Sequence, residues 1–328
     1  MNLHTDIKTD PLHSPIHYTD HILLLGSCFA DEIGSLLDFY RFRVSVNPFG
    51  TLYNPASVIS ALERLASRQE FTTEDLVENQ GIYATFFHHS DYADTDPDRF
   101  LSNANTSLRD SADFFQKANT VIITLGTARI YRHIEKNIIV SNCRKMPASL
   151  FRQELLDIDR IVGMLKDFIC RFPDKKYILT VSPVRHLKDG AHGNQISKAI
   201  LLLAVEKLRE SFADAANGKP LIYYFPAYEL MMDELRDYRF YADDMLHPSP
   251  LAVRYIFERF RENCIAPQDY PLMQRVENLE KRLRHKPLFP DSDSSKSFRE
   301  KLLRDEESLE KEYPCLSRRT LPDRNNRP

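Results

Sequence analysis

The chain has 328 residues, 42% of them hydrophobic, which is enough for one large core or two modest domains. A net charge of −3 gives no general attraction to nucleic acid or anionic lipid. No apolar run approaches the roughly 18 residues that a membrane-spanning helix needs.

The opening segment MNLHTDIKTDPLHSPIHYTD has neither the apolar stretch nor the basic start of a secretion signal. Five cysteines, Cys28, Cys143, Cys170, Cys264 and Cys315, are odd in number and scattered, so they do not suggest a disulfide framework. A reduced, cytoplasmic protein is expected.

In chain order, His21 to Leu25 predicts a short buried strand that Gly26 ends. From Ala30 onward, Ile33, Leu36, Leu37 and Tyr40 share one face of a helix. YRFRVSV (40–46) alternates and predicts an edge or surface strand. Asn54 followed by Pro55 predicts an N-cap and first turn, with a helix to about Ser67. TVIITLG (120–126), KYILTVSP (176–183) and LIYYFP (221–226) are apolar runs, read as further strands.

Helical spacing follows in 150–172 through Leu155, Ile158, Ile161, Val162, Leu165 and Ile169. It recurs in 195–213 through Ile196, Ile200, Leu203, Leu208 and Phe212. Ser249 and Pro250 open another helix, with Leu251, Tyr255, Ile256 and Phe260 inward. Strands alternating with helices predict a mostly parallel sheet covered on both faces. After about residue 266 the chain becomes highly charged, with two amphipathic helical patterns around a Pro/Ser/Asp break. The expected division is a core domain over 1–265 and a charged, partly helical or disordered extension over 266–328. The extension's helices offer a surface for homo-oligomerisation.

Reactive groups of an open α/β sheet gather at the carboxyl ends of its strands. The first strand is followed by Gly26-Ser27-Cys28 and the third by Gly126-Thr127-Ala128-Arg129. The fourth is followed by Ser182-Pro183-Val184-Arg185-His186. YADDMLHPSP then precedes the helix at Ser249, with Asp244 and His247 three residues apart. That spacing lets the carboxylate meet the imidazole Nδ1–H and leaves Nε2 outward as a base. Ser27, Asp244 and His247 follow the chain order of many α/β serine hydrolases. Each feature alone also has a structural reading, Ser27 as a turn residue and Asp244 as a turn cap. Cys28, one residue past the turn, is expected in the helix–sheet packing and unreactive.

GSCFA (26–30), NPFGTLYNP (47–55), LGTARIY (125–131), SPVRH (182–186) and DDMLHPS (243–249) together resemble the blocks of the GSCFA family. That family is similar to the SGNH, or GDSL-type, hydrolases. The resemblance implies a three-layer α/β/α, flavodoxin-like fold and esterase or acyltransferase chemistry. By position, Ser27 then matches the nucleophile, Asp244 the orienting acid and His247 the base. The backbone N–H groups of Gly50 and Ser27 match an oxyanion hole. The superfamily usually adds an Asn side chain where this chain has Ala128, a donor whose loss can cost about 2.7–4 kcal/mol of transition-state stabilisation. Thr127, Asn47 and Asn142 are the candidate replacements.

Arg129, Arg185, His186 and Lys188 are candidates to line a pocket for an anionic acyl or sugar-linked substrate, or else solvated loop charges. His88, His89, His186, His192 and the Asp243-Asp244 pair lack metal-ligand spacing, so no metal is expected. Neither G-x-G-x-x-G nor a Walker pattern follows a strand, so no nucleotide cofactor is expected. Two functional classes stay open. One is a serine esterase or acyltransferase acting on a small O-acylated metabolite, and the other is a non-catalytic binding module with an incomplete oxyanion hole.

Overall fold

The computed structural model describes residues 5–212 and 222–317. Leu221 and Ala213, at the ends of two predicted elements, lie outside the described residues, as does the end of the extension beyond Ser317.

The chain runs β1 (His21–Gly26), α1 (Cys28–Phe39), β2 (Arg43–Val46), α2 (Pro55–Ser67), β3 (Leu76–Asn79), β4 (Ile82–Thr85) and α3 (Pro97–Lys117). It continues through β5 (Thr120–Leu125), β6 (Arg129–His133), β7 (Ile138–Val140), β8 (Phe151–Leu155), α4 (Ile158–Arg171), β9 (Lys176–Val181) and α5 (Gly190–Glu210). β10 (Ile222–Tyr224), α6 (Pro250–Cys264), α7 (Tyr270–Leu283) and α8 (Asp293–Glu312) complete it.

Five strands form one sheet in the order β10-β9-β5-β1-β2. All four pairings are parallel. Counted along the chain, that order is 2-1-3-4-5, a doubly wound arrangement whose switch point lies between β1 and β5. β2 is an edge strand, as its alternation predicts. The apolar runs of the inner strands are buried because helices cover both faces. Leu23 and Leu25 of β1 face a core shared with α2, α3, α4 and α5. Ile22 and Leu24 face a second core shared with α1, α6, α7 and α8. The result is three layers, α/β/α.

Several elements differ from their sequence patterns. Residues 151–155 form β8 rather than the first turn and a half of a helix, and Leu155 is exposed on it. β8 pairs with β6, which pairs with β7, in a separate antiparallel sheet. In α5 the inward residues are Leu201, Ala204, Val205 and Leu208, whereas Ile196 and Leu203 are exposed. Leu251 of α6 is likewise exposed. The N-caps are as predicted: Asn54 Oδ1 accepts from Ser57 N–H at 2.8 Å, and Ser249 Oγ caps Ala252.

The compositional shift near residue 266 does not coincide with a gap in packing. Leu272, Met273, Val276 and Leu279 of α7 and Leu302 and Leu309 of α8 belong to the same apolar cluster as Ile22 and Phe29. Charge occupies the outer faces. At the seam, Arg41 donates to Glu280 at 2.7 Å and Glu310 at 3.1 Å, and also to Glu306. The Arg41 and Glu280 side chains are only 2% and 1% exposed. Arg41 adopts a left-handed φ of 61°, a conformation a branched or long side chain takes only when its surroundings enforce it.

A dry ion pair is costly to break because the charge left behind has lost its water. Arg41→Met is therefore expected to lower the unfolding free energy by about 3–5 kcal/mol. Urea titration measures this directly. A loss below about 1 kcal/mol, the scale of an exposed pair, would mean that apolar contacts alone hold the C-terminal helices.

Candidate functional site

The turn after β1 is built around a glycine that no other residue can replace. Gly26 has φ +140°, and a Cβ there would lie 2.1 Å from the Thr124 carbonyl oxygen of the neighbouring strand. Ser27 follows as the N-cap of α1, with extended φ and ψ, its Oγ accepting from Phe29 N–H at 3.3 Å. Ser27 is fully buried. Its hydroxyl donates to Ser182 Oγ, 2.9 Å away at the end of β9.

Asp244 and His247 are brought together as their spacing predicts. Asp244 Oδ2 lies 2.6 Å from His247 Nδ1. Oδ1 of the same carboxylate accepts from Leu246 N–H and His247 N–H, at 2.9 and 3.0 Å. Those two backbone donors, followed by the imidazole, hold the Asp244 carboxyl down at about 2. The pair is 46% exposed at both side chains, whereas Ser27 has no exposed surface. His247 lies within electrostatic range of Glu32 in α1 and of His186. Its hydrogen bond is to Asp244, and that of Ser27 is to Ser182.

The two backbone donors matched to an oxyanion hole, and the backbone N–H of the candidate Thr127, are bonded within the chain. Ser27 N–H donates to Thr124 O at 3.1 Å, Gly50 N–H to Asn47 O at 2.7 Å and Thr127 N–H to Tyr53 O at 2.8 Å. Thr127 Oγ1 shares a proton with Ser197 Oγ at 2.9 Å. Ala128 is fully buried in the α2–α5 core, so an Asn side chain there would enter apolar packing. Asn142 accepts from Arg144 N–H in the turn after β7.

Asn47 is different. It is fully buried with a left-handed φ of 44°, and its Oδ1 accepts from Gly26 N–H at 2.9 Å. Because a backbone N–H can only donate, the amide orientation is fixed, and Nδ2 is the other end. Nδ2 is buried without a hydrogen-bond partner. Unsatisfied buried donors are rare and costly, so this one is a reserve of hydrogen-bonding capacity on the residue that braces the Ser27 turn.

Residues that sequence reasoning passed over complete the centre. Lys198, 1% exposed, donates to the carbonyls of Gly126 and Ser182, both at 2.7 Å. It tethers the ends of β5 and β9. Burial, with Arg185 adding to it against an opposing effect of Cys28, brings its ammonium down to about 7. A lysine three residues before inward Leu201 was the available signal. Tyr53 contributes its carbonyl to Gly126 N–H and Thr127 N–H and sets its ring edge-on to His186, centroids 5.5 Å apart. His186 Nε2 is buried without a partner, and burial followed by Lys198 and His247 lowers this imidazole to about 4 despite Asp189. Arg129 faces Asp189 at 3.4 Å. Among the described residues the Arg185 side chain hydrogen-bonds to the Met232 sulfur alone, at 3.9 Å.

Cys28 is partly exposed and lies within electrostatic range of Lys198 and Tyr53. Burial, then the Asp31 carboxylate, pushes its thiol up to about 11. Among the described residues no group of three or more His, Cys, Asp or Glu side chains could hold a metal ion, and no helix is long and apolar enough to cross a membrane.

The fold and site define a doubly wound α/β/α protein with a polar centre at the carboxyl edge of its sheet. The model of the GSCFA family matches residues 21–260, and the chain belongs to that family. A search of the curated proteins finds no match.

A thiol held near 11 reacts through a thiolate fraction that rises about tenfold per pH unit below that value. Iodoacetamide modification of Cys28, followed by mass spectrometry, should be slow at pH 7 and accelerate about a hundredfold by pH 9. A rate already saturated at pH 7 would identify Cys28 as an activated nucleophile.

Proposed function

We propose that this protein is a serine esterase or acyltransferase of SGNH-like mechanism acting on a small O-acylated molecule. Ser27 is the nucleophile, His247 its base and Asp244 the group that orients the base. The observation that carries the reading is the 2.6 Å Asp244–His247 bond on the strand-end edge where Ser27 stands. A carboxylate on Nδ1 fixes the tautomer in which Nε2 accepts a proton. As Ser27 Oγ attacks an acyl carbonyl, its proton passes to His247 Nε2, and the tetrahedral oxyanion needs donors. Asn47 Nδ2 supplies one, a buried donor without a partner among the described residues, on the side chain that also holds Gly26 N–H. Collapse of the tetrahedral intermediate breaks the ester C–O bond, and His247 gives its proton to the departing alcohol. Water or an acceptor hydroxyl, deprotonated by His247, then takes the acyl group, and Ser27 Oγ regains the proton.

Ser27 is buried and bonded to Ser182, so the reaction requires the residues over the turn to shift and the Ser182 bond to exchange for one to His247. The same facts favour a second reading, a binding module in which Ser27 only caps α1 and ties β1 to β9. On either reading the partner is a small molecule bound at the strand-end edge of the sheet. Self-association would use the C-terminal region, where Leu303 of α8 and Leu288 and Phe289 in the link between α7 and α8 are exposed.

A fluorophosphonate probe separates the two readings, because only an activated serine reacts quickly. The enzyme reading expects labelling at Ser27, abolished in Ser27→Ala and reduced by about 10³-fold or more in His247→Ala. Asp244→Asn should reduce it by a comparable or smaller factor, since the imidazole remains but loses its tautomer. An unlabelled wild-type chain with intact circular dichroism would leave the binding module.

A further inference from the structure

Positive charge behind Ser27 is poorly neutralised by the protein's own acids. Lys198 is buried, and its two hydrogen bonds go to neutral carbonyls rather than to a carboxylate. Arg185 forms no ion pair among the described residues. Its Nε is buried without a partner, and its single side-chain hydrogen bond goes to a thioether. Arg129 faces Asp189 at 3.4 Å, with its own Nε also lacking a hydrogen bond. Among the described residues Asp189 is thus the one carboxylate paired with any of these three cations, which lie at the ends of β5 and β9 and on α5. The adjacent His186 stays neutral in this field, its Nε2 buried and unbonded.

Of these groups Arg185 is the guanidinium with no carboxylate facing it among the described residues. A lysine can shed its proton, whereas a guanidinium remains charged at every relevant pH. Leaving such a group half-dry without an acceptor is costly, and its planar fork suits one kind of complement, the paired oxygens of a carboxylate or phosphate. Its location is also informative. The Arg185 backbone N–H donates to Leu246 O, one residue before His247, and Ser182, the partner of Ser27, lies three residues upstream. Arg185 thus bridges the segment that holds the nucleophile and the loop that carries the base.

We infer that the strand-end edge of the sheet binds an anionic substrate, an acyl compound bearing a carboxylate or phosphate group, and that Arg185 is the specificity-determining residue that binds this group. The chemistry of the acyl group rests on the esterase reading above, whereas the recognition of the anion does not.

Two measurements on the full chain keep these apart. The first needs no turnover: thermal unfolding in millimolar inorganic phosphate or succinate, at constant ionic strength, for the wild type, Arg185→Met and Arg185→Lys. Stabilisation of the wild type by one of the two anions is expected, lost in Arg185→Met and partly kept in Arg185→Lys, which retains charge but not the fork. Whichever anion acts names the class. The second compares kcat/KM for p-nitrophenyl hemisuccinate and p-nitrophenyl butyrate. The wild type should favour the charged ester, and Arg185→Met should lower that ratio about tenfold or more, the scale of a charge-assisted hydrogen bond. Anion binding through Arg185 without turnover would sink the esterase reading and leave this one standing. Turnover without preference for the charged ester, or stabilisation by neither anion, would overturn the anionic assignment. So would responses unchanged by both substitutions.

Discussion

A parallel sheet buried on both faces must satisfy the backbone groups at its carboxyl edge, where the ladder stops, and the rest of this site is arranged around that requirement. Gly26 N–H goes to the Asn47 side chain, and Gly26 O accepts from Leu52 N–H. Gly126 N–H and Thr127 N–H go to one carbonyl, that of Tyr53. The Gly126 and Ser182 carbonyls share one lysine. Each solution draws a side chain or loop from elsewhere in the sequence to the same edge. The crowd of polar groups around Ser27 is therefore first a consequence of ending the strands, and only afterwards a chemical resource.

This double duty sets the energetic terms on which Ser27 could react. Its cap to Phe29 and its bond to Ser182 are ordinary neutral hydrogen bonds, each worth about 1 kcal/mol net. A substrate that binds with micromolar affinity supplies about 8 kcal/mol, so exchanging these bonds is a small fraction of what binding provides. The braces behind the turn are of another kind. Gly26 sits so close to the Thr124 backbone that no side chain fits there, and Lys198 is held by burial and two carbonyls; both lie beneath the turn rather than on its reacting side. The nucleophile is loosely held within a rigid frame.

The inner strands and their order of appearance were legible because four-to-six-residue apolar runs ending in Gly or Pro have few other uses. The helix starts at Asn54 and Ser249 were legible because capping is local. The Asp244–His247 bond was legible because it spans three residues. What escaped is non-local or weakly patterned. β6, β7 and β8 are short, half-exposed strands, and Leu155 happens to continue the helical period of α4. α3 is a polar helix whose inward face is carried by Phe100, Ala104, Leu108, Ala112 and Phe115, interleaved with charges. The role of Lys198 depends on carbonyls 16 and 72 residues away. The C-terminal helices concealed their docking because Leu302 and Leu309 are few among charges.

The Arg41 ion cluster also bears on how the chain is made. Its three acidic partners follow it by 239, 265 and 269 residues. At a synthesis rate of about 5–20 residues per second, Arg41 leaves the ribosome roughly ten seconds to a minute before they do. The face of the sheet that α6, α7 and α8 cover stays open for that interval, with Ile22 and Leu24 lacking much of their final packing. The family-matched region, residues 21–260, is thus translated before its own second core can close. Closure of that face therefore waits on the helices that emerge last, and until then its apolar residues are the ones most open to other partners.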